Sequence, residues 1–432
     1  MTEEFLHYLW KYKLLYNNLK STENESIEII NPGFHNRDSG PDFFNAKIRI
    51  NDTIWAGNIE IHINASDWQL HNHQNDQAYD NIILHVVYNN NKTILRESGA
   101  AIPQLVVDKC FDENIYHNYQ NFIQNKNWIP CEKLIKDANE FTISNWLEYL
   151  LIERLERKTL ELKEVFKRNN SSWEESFYQL LAKNFGFKIN AYPFEVLSQS
   201  LPLTYLGKHK SNENQIAALI FGQAGLLNAD FSEDYPQMLY SEYEFLRKKY
   251  KLVPLKLHLW KFLRLRPANF PTIRLSQFSD LIYKSSHLFS KILECKKLND
   301  IYKLFDVKAH SYFDNHYMFD DKLIISKQRL LGKSAIDLIV INTIVPMLFF
   351  YAENKDEKEF QHRAFGFLEQ IVAEKNSIIT KWKQLGINAQ TAYVTQGLIE
   401  LKNNYCSNKR CLNCRIGNEL LNKNYNFNES AN

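Results

Sequence analysis

Between residues 45 and 88 the chain leaves little choice about its local fold. NAKIRI at 45–50 alternates polar and apolar residues, Asn51-Asp52 is a turn pair, and IWAGNIEIHI at 54–63 alternates again. Successive strand side chains point to opposite faces, so two alternating runs joined by two turn formers predict a β-hairpin. IILHVVY at 82–88 does not alternate; its nearly unbroken aliphatic and β-branched run predicts a buried central strand.

The flanking segments fill out a small mixed α/β domain expected over 1–130. Phe5, Leu9, Tyr12 and Tyr16 recur at helical spacing over 3–20, IEII at 27–30 reads as a short strand, and NPGFHNRDSGPD at 31–42 is dense in turn formers. Residues 66–79 read as a turn plus a short helix, and 94–108 add an edge strand around Pro103. From Phe141 the texture becomes helical, with amphipathic patterns at 143–168, 172–185, 213–228, 236–250, 276–295, 334–352, 358–382 and 390–404. A large all-helical region over 137–432, ending in a cysteine cluster, is the expectation.

At 432 residues the chain exceeds one ordinary core, and with only 13 Gly and 11 Pro it has few flexible linkers. The net charge of +2 hides an asymmetry: residues 1–130 hold 10 Lys+Arg against 16 Asp+Glu, and the remainder 42 against 34. An acidic front and a basic back suit a metal site beside a polyanion-binding surface. The most apolar stretch, Ala335–Ala352, carries Asp337, Asn342 and Pro346 and reads as a buried core helix, not a membrane span. MTEEFLHYLWKYK is acidic first and amphipathic afterwards, the wrong order for a secretory signal, and six cysteines in this length form no disulfide framework. A cytoplasmic protein without a membrane partner is expected.

The chemistry concentrates in the sheet segment. Asp42 opens the first hairpin strand, Glu60 and His62 leave the same face of the second, His85 sits mid-strand, and His71 and His73 lie in the connection between. Two carboxylates on adjacent strands suit Mg²⁺ or Mn²⁺, and added imidazoles shift the preference towards Mn²⁺ or Zn²⁺. A single strand histidine such as His85 is more often a hydrogen-bonded core residue. An inward-facing Glu60–His62 pair is costly unless partnered.

Gly40-Pro41-Asp42 followed by Glu60-Ile61-His62, in the order helix–strand–hairpin–helix–strand, resembles the PD-(D/E)xK nuclease superfamily over about 90 residues. The resemblance implies a restriction-endonuclease-like domain with Asp42 and Glu60 as metal ligands. His62 then stands where the superfamily's lysine orients or activates water, a departure that also fits a member without cleavage. His71, His73 and His85 rank second. The whole chain further resembles an uncharacterised bacterial family of unknown function, through GPDF, GNIEIHINASDWQLHNH, YDNIILHVVY, RLRPANFPTIRLSQ and YCSNKRCLNCRIG.

Cys406, Cys411 and Cys414 form C-x4-C-x2-C, a spacing at which thiolates usually share zinc or an iron–sulfur cluster. The loop resembles the iron–sulfur loop of endonuclease III-type DNA glycosylases, with a shorter first gap and no fourth cysteine after it. The fourth ligand must come from Cys131, Cys110, Cys295 or a histidine. Cys131 is preferred, because joining it to the other three resembles the iron–sulfur staples of some PD-(D/E)xK nucleases. Arg264, Arg266 and Arg274, set among prolines in LRLRPANFPTIRLSQ, are the candidate phosphate contacts. There is no phosphate-binding glycine loop, no dinucleotide fingerprint and no serine-hydrolase elbow. The expectation is a metal-dependent nuclease acting on DNA; the alternative is a catalytically inactive nucleic-acid-binding or scaffold protein on the same fold. An iron–sulfur repair enzyme with its site in the helical part and a histidine-based zinc hydrolase are further rivals.

Overall fold

Helix α1 (Glu3–Lys11) begins on Thr2, whose hydroxyl accepts from the Phe5 N–H, and carries Glu3 and Glu4 where the helix dipole favours anions. It buries Phe5, Leu6, Leu9 and Trp10 and ends nine residues before the sequence pattern does. Lys13 takes φ 52°, and the chain turns into strand β1 (Leu19–Lys20). Tyr12 and Tyr16 keep helical spacing but remain exposed, so no buried face extends the helix to them. The computed structural model describes residues 1–36, 38–96, 98–324 and 326–423.

Strands β2 (Ser26–Asn31), β3 (Phe34–His35), β4 (Phe43–Ile50) and β5 (Thr53–Asn64) follow. Helix α2 (Asp67–Leu70), β6 (Ile82–Asn89), β7 (Gln104–Val106) and helix α3 (Glu113–Gln124) come next. The sheet runs β1-β2-β4-β5-β6-β7, with β3 paired to β4. The β2–β4–β5 portion is antiparallel; β5–β6 and β6–β7 are parallel. The hairpin therefore forms where expected, with Asn51 at φ 51° in its turn. β6 has a partner on each side and Ile82–Val87 buried, as its unbroken apolar run requires. The parallel register sets Glu60 opposite His85. Gly57 is needed where β5 passes the end of β6, since a Cβ there would lie 2.4 Å from Ile83 Cγ2 and 2.7 Å from Asn81 O. One feature was not expected: Ser21 bridges Leu105, and the Thr22 N–H donates to Gln104 O at 2.9 Å, so the two ends of the sheet meet.

The chain divides into two units, Met1–Trp146 with the C-terminal segment from Glu400, and Leu147–Ile399. This differs from a boundary near 130 with everything after 137 in one helical region. Helix α4 (Glu140–Arg168) contains the first division, and the C-terminal segment groups with the sheet. The reason is specific bonding. Asn118 on α3 donates to Leu421 O and Lys423 O, both at 3.0 Å, and the Tyr8 hydroxyl of α1 donates to Asn418 Oδ1 at 3.1 Å.

The second unit is helical. Trp173–Phe185, Ala191–Ser200, Glu213–Gln223, Asp234–Tyr250, Pro271–Lys284 and Val345–Lys355 enclose a core rich in Phe and Leu. The pattern over 276–295 splits into Pro271–Lys284 and Leu288–Glu294, broken where His287 takes φ 50°. Lys333–Lys355, interrupted by a π-helical turn at Val340–Ile344, is long and apolar enough to cross a membrane. In the structure 78% of its most apolar window is buried inside the protein.

Candidate metal centre

The end of the sheet where β4 begins gathers most of the first unit's imidazoles. Asp42 sits just ahead of β4; its Oδ2 accepts from the Ile61 N–H at 2.9 Å. Glu60 Oε2 in turn accepts from the Asp42 N–H at 3.2 Å. Each carboxylate is thus pinned to the neighbouring strand's backbone, which fixes their relative position. Glu60 is 4% exposed and His62 1%.

Helix α2 and the turn after it deliver the remaining imidazoles, with Asn72 in the left-handed region between His71 and His73. Tyr79 stacks on His73 at 3.9 Å and Trp68 packs edge-on against it. His73 Nε2 lies 3.2 Å from Glu60 Oε1, and His62 Nε2 lies 3.6 Å from the same oxygen. His62 Nε2 is 3.2 Å from His71 Nδ1. Among the described residues, His62, His71 and His73 form a group whose ligand atoms all lie within 4.8 Å of one another.

One contributor escaped the sequence reading. His7, on α1, brings Nε2 to 3.2 Å from Asp42 Oδ2, with Glu3 one turn earlier. Its signal was the i,i+4 spacing of Glu3 and His7 on an otherwise apolar face, too short a pattern to interpret alone. His7 Nε2 and His73 Nε2 are both buried, yet neither makes a well-aligned hydrogen bond to its carboxylate. Buried nitrogens left so are the donor set a cation needs, which is the fit expected of a metal centre.

Burial opposes charge at Glu60, Glu3, His7, His62 and His85. It raises the Glu60 carboxyl above its ordinary value, helped by the charge of Asp42 and resisted by His73. Burial, then Asp42, raises Glu3 as well. Burial alone would lower His7, but its contact with Asp42 outweighs that and the net shift is upward. Burial, followed by His85 and the other imidazoles, pushes His62 down to about 2. Burial and then His73 push His85 down to about 3.

Both groups are therefore neutral, and one chain of hydrogen bonds assigns their protons. Gln104 Nε2 donates to Lys92 O at 3.1 Å and faces His85 Nδ1 at 3.5 Å. His85 then carries its proton on Nε2 and donates to His62 Nδ1 at 2.9 Å. That leaves the His62 proton on Nε2, aimed at Glu60 and His71. His85 is thus a buried, hydrogen-bonded histidine that fixes the tautomer of its neighbour.

The depressed imidazoles imply a pH dependence of stability. Unfolded, His62 and His85 titrate near 6.5, so the unfolded chain binds more protons below that value. Their contribution is complete above pH 6.5 and is lost as the pH falls towards their folded values. At pH 5 each forfeits about 2 kcal/mol. Glu60, raised, acts in the opposite sense, its contribution present at low pH and lost as the pH rises through its folded value. The urea midpoint of chelator-treated protein should fall from pH 7 to pH 5, and replacing both histidines by Gln should flatten that fall. An equal midpoint at both pH values in the unsubstituted chain contradicts this account.

Cys131, Cys406, Cys411 and Cys414 also lie in this unit. Cys131, Cys411 and Cys414 are buried and Cys406 half-buried. Burial holds the Cys131 thiol well above its ordinary value, and the charges of Cys414 and Cys411 add to this. Cys406 is raised by burial and then by Cys131, Cys414 and Cys411; Cys411 is pushed up to about 12. Cys131 is thus close enough to the C-terminal cysteines for their charges to act on one another. Cys110 instead donates to Val106 O, and Cys295 belongs to the helical unit. Burial raises Cys414, but the backbone N–H groups of Gly417 and Ile416 and the Trp146 side chain all work to lower it. Such donors are typical companions of metal-bound thiolates.

The arginine triplet divides. Arg264 and Arg266 are exposed, whereas Arg274 is buried in the opening turn of Pro271–Lys284. Its helical phase turns it into the core, so it is removed from the expected surface contacts for a nucleic-acid backbone.

A sheet-based unit carrying an imidazole–carboxylate cluster is joined in one chain to a helical unit. The family model described as "Protein of unknown function (DUF2851)" matches residues 3–377, and the chain belongs to that family. The match spans Asp42, Glu60 and all the clustered histidines and stops short of Cys406–Cys414. No curated protein and no solved structure matches the chain.

Proposed function

We propose that the chain is a metal-dependent phosphodiesterase acting on nucleic acid, with DNA as substrate, on a nuclease-like N-terminal fold. The observation that carries this reading is the mutual pinning of Asp42 and Glu60 beside buried imidazole nitrogens. The order α1, β2, β4, β5, α2, β6, with Pro41-Asp42 ahead of one strand and Glu60-Ile61-His62 on the next, further supports it. Asp42 and Glu60 would hold Mg²⁺ or Mn²⁺, with His71 and His73 favouring Mn²⁺. Such an ion activates a water and offsets charge developing on the scissile phosphate. His62 is the positioning residue: its Nε2–H, fixed through His85 and Gln104, points into the cluster and can donate to a water or a phosphate oxygen. Arg264 and Arg266 offer exposed phosphate contacts, and Cys131, Cys406, Cys411 and Cys414 would hold zinc or an iron–sulfur cluster.

The test is cleavage of labelled single- and double-stranded DNA and RNA with Mg²⁺ or Mn²⁺. His62→Ala should lower the rate about 10²–10⁴-fold, the usual worth of a positioned proton donor or acceptor. His62→Lys, which restores an N–H donor, should recover much of that loss without changing metal content. A His62→Lys chain that loses its metal makes His62 a ligand instead.

One observation favours a second reading. His62 is neutral where the resembled superfamily has a cationic lysine, so the site lacks that positive charge. A binding protein without cleavage would show salt-dependent DNA affinity and no products with any metal.

A further inference from the structure

The helical unit buries a guanidinium that has no counter-ion among the described residues. Arg274 is 9% exposed. Its Nη1 donates to Gln277 Oε1 at 2.9 Å, its Nη2 to Asn269 Oδ1 at 2.6 Å, and its guanidinium carbon lies 4.7 Å from the Phe187 ring centre. Both hydrogen-bond partners are neutral amides. The third donor, Nε–H, is buried without any hydrogen-bond partner. Burial alone pushes the group down to about 10, with no carboxylate acting to raise it. The side chain also stands in the opening turn of a 14-residue helix, where the dipole disfavours a cation. A buried cation so placed is costly unless an anion completes it.

The same side chain lines a cavity of about 380 Å³. Phe185, Phe187, Phe194, Leu265 and Leu338 supply apolar wall, and exposed Lys188 supplies a second cation; among the described residues no Asp or Glu lines it. The volume falls in the range of about 300–1,000 Å³ typical of small-molecule sites. Apolar walls with a few convergent polar donors are the usual composition of such a site.

We propose that this cavity binds a small organic anion, its oxyanion group completing Arg274 and its apolar body lying against the Phe and Leu walls. The uncompensated guanidinium charge in the cavity wall attracts the anion, and Lys188 adds long-range attraction. A carboxylate and a phosphate monoester share this chemistry. The site lies wholly in the helical unit and requires nothing of the Asp42–Glu60 centre.

Isothermal titration of the full chain with 2-naphthoate, 2-naphthyl phosphate and uncharged 2-naphthylmethanol tests it. At least one of the two anions should bind tenfold or more tightly than the alcohol, and the tighter anion identifies the headgroup. Arg274→Met should reduce that anion to the alcohol's affinity while leaving the unliganded melting temperature unchanged or higher, because a buried unpaired charge has gone. Ala335→Phe, which fills the cavity from the Lys333–Ile339 helix, should abolish binding of all three without removing the cation, and it keeps the test informative if Arg274→Met does not fold. Equal binding of acid and alcohol, no binding of any probe, or anion binding that survives either folded substitution overturns the proposal.

Discussion

Asp42→Asn and Glu60→Gln should each slow metal-dependent DNA cleavage by at least about 10³-fold, equivalent to some 4 kcal/mol of lost transition-state stabilisation. Each substitution keeps the shape of the side chain and its acceptance from the neighbouring strand, at Ile61 N–H or Asp42 N–H. It removes the charge that a divalent cation requires. The fold should survive: replacing Glu60 relieves a carboxylate whose ionisation burial opposes, so the melting temperature of its Gln variant should equal or exceed that of the unsubstituted chain. Rates and bound Mn²⁺, measured by titration, should fall together. Variants that cleave at the unsubstituted rate, or that lose activity while binding Mn²⁺ normally, would remove these two carboxylates from the proposed centre.

The second large effect is on stability. If the four thiolates hold the proposed metal, Cys131→Ser or Cys414→Ser should release it and destabilise the sheet unit by several kcal/mol, a large share of the roughly 5–15 kcal/mol that holds a typical domain folded. Without a cation, ionising any of the four thiols is opposed by burial and, for Cys131, Cys406 and Cys411, by the neighbouring sulfurs. Gly417→Ala should act in the same direction, since its Cβ would lie 2.4 Å from Cys411 O inside the loop. Metal analysis and visible absorbance of anaerobically purified protein give the identity: a brown chromophore for iron–sulfur, a colourless protein with bound zinc otherwise. Four thiols that alkylate freely in the native, metal-free chain, with unchanged stability, would contradict a metal here.

Strand-borne features of the site were legible because strand periodicity is local. The alternation around Glu60 and His62 put both on one face, and the unbroken run around His85 marked the central strand. Cys131 was singled out by need, since three thiolates want a fourth, and it lies in the same unit as the other three. His7 was not legible: it joins Asp42 only through the packing of α1 on the sheet, which no spacing within α1 reveals. Arg274 was misread because a proline-rich, arginine-rich stretch looks like surface, whereas Pro271 opens a helix whose next turn is buried. The division of the chain was hidden for a related reason. The contacts of Asn118 and Tyr8 with residues 418–423 span most of the sequence, and composition carries no trace of such pairings.

Those long-range pairings govern the order in which the protein can be made. During synthesis, residues 1–146 leave the ribosome well before the segment from Glu400 that belongs with them, and the whole helical unit is translated in the interval. The helical unit, continuous in sequence, can fold as it emerges; the sheet unit cannot be completed until Cys406–Cys414 and the Arg415–Leu421 helix arrive. A nascent chain stalled before residue 400 would therefore carry three unpartnered elements: α3, Cys131 and the Tyr8 face of α1. Premature termination late in the message would therefore damage the sheet unit more than the helical one.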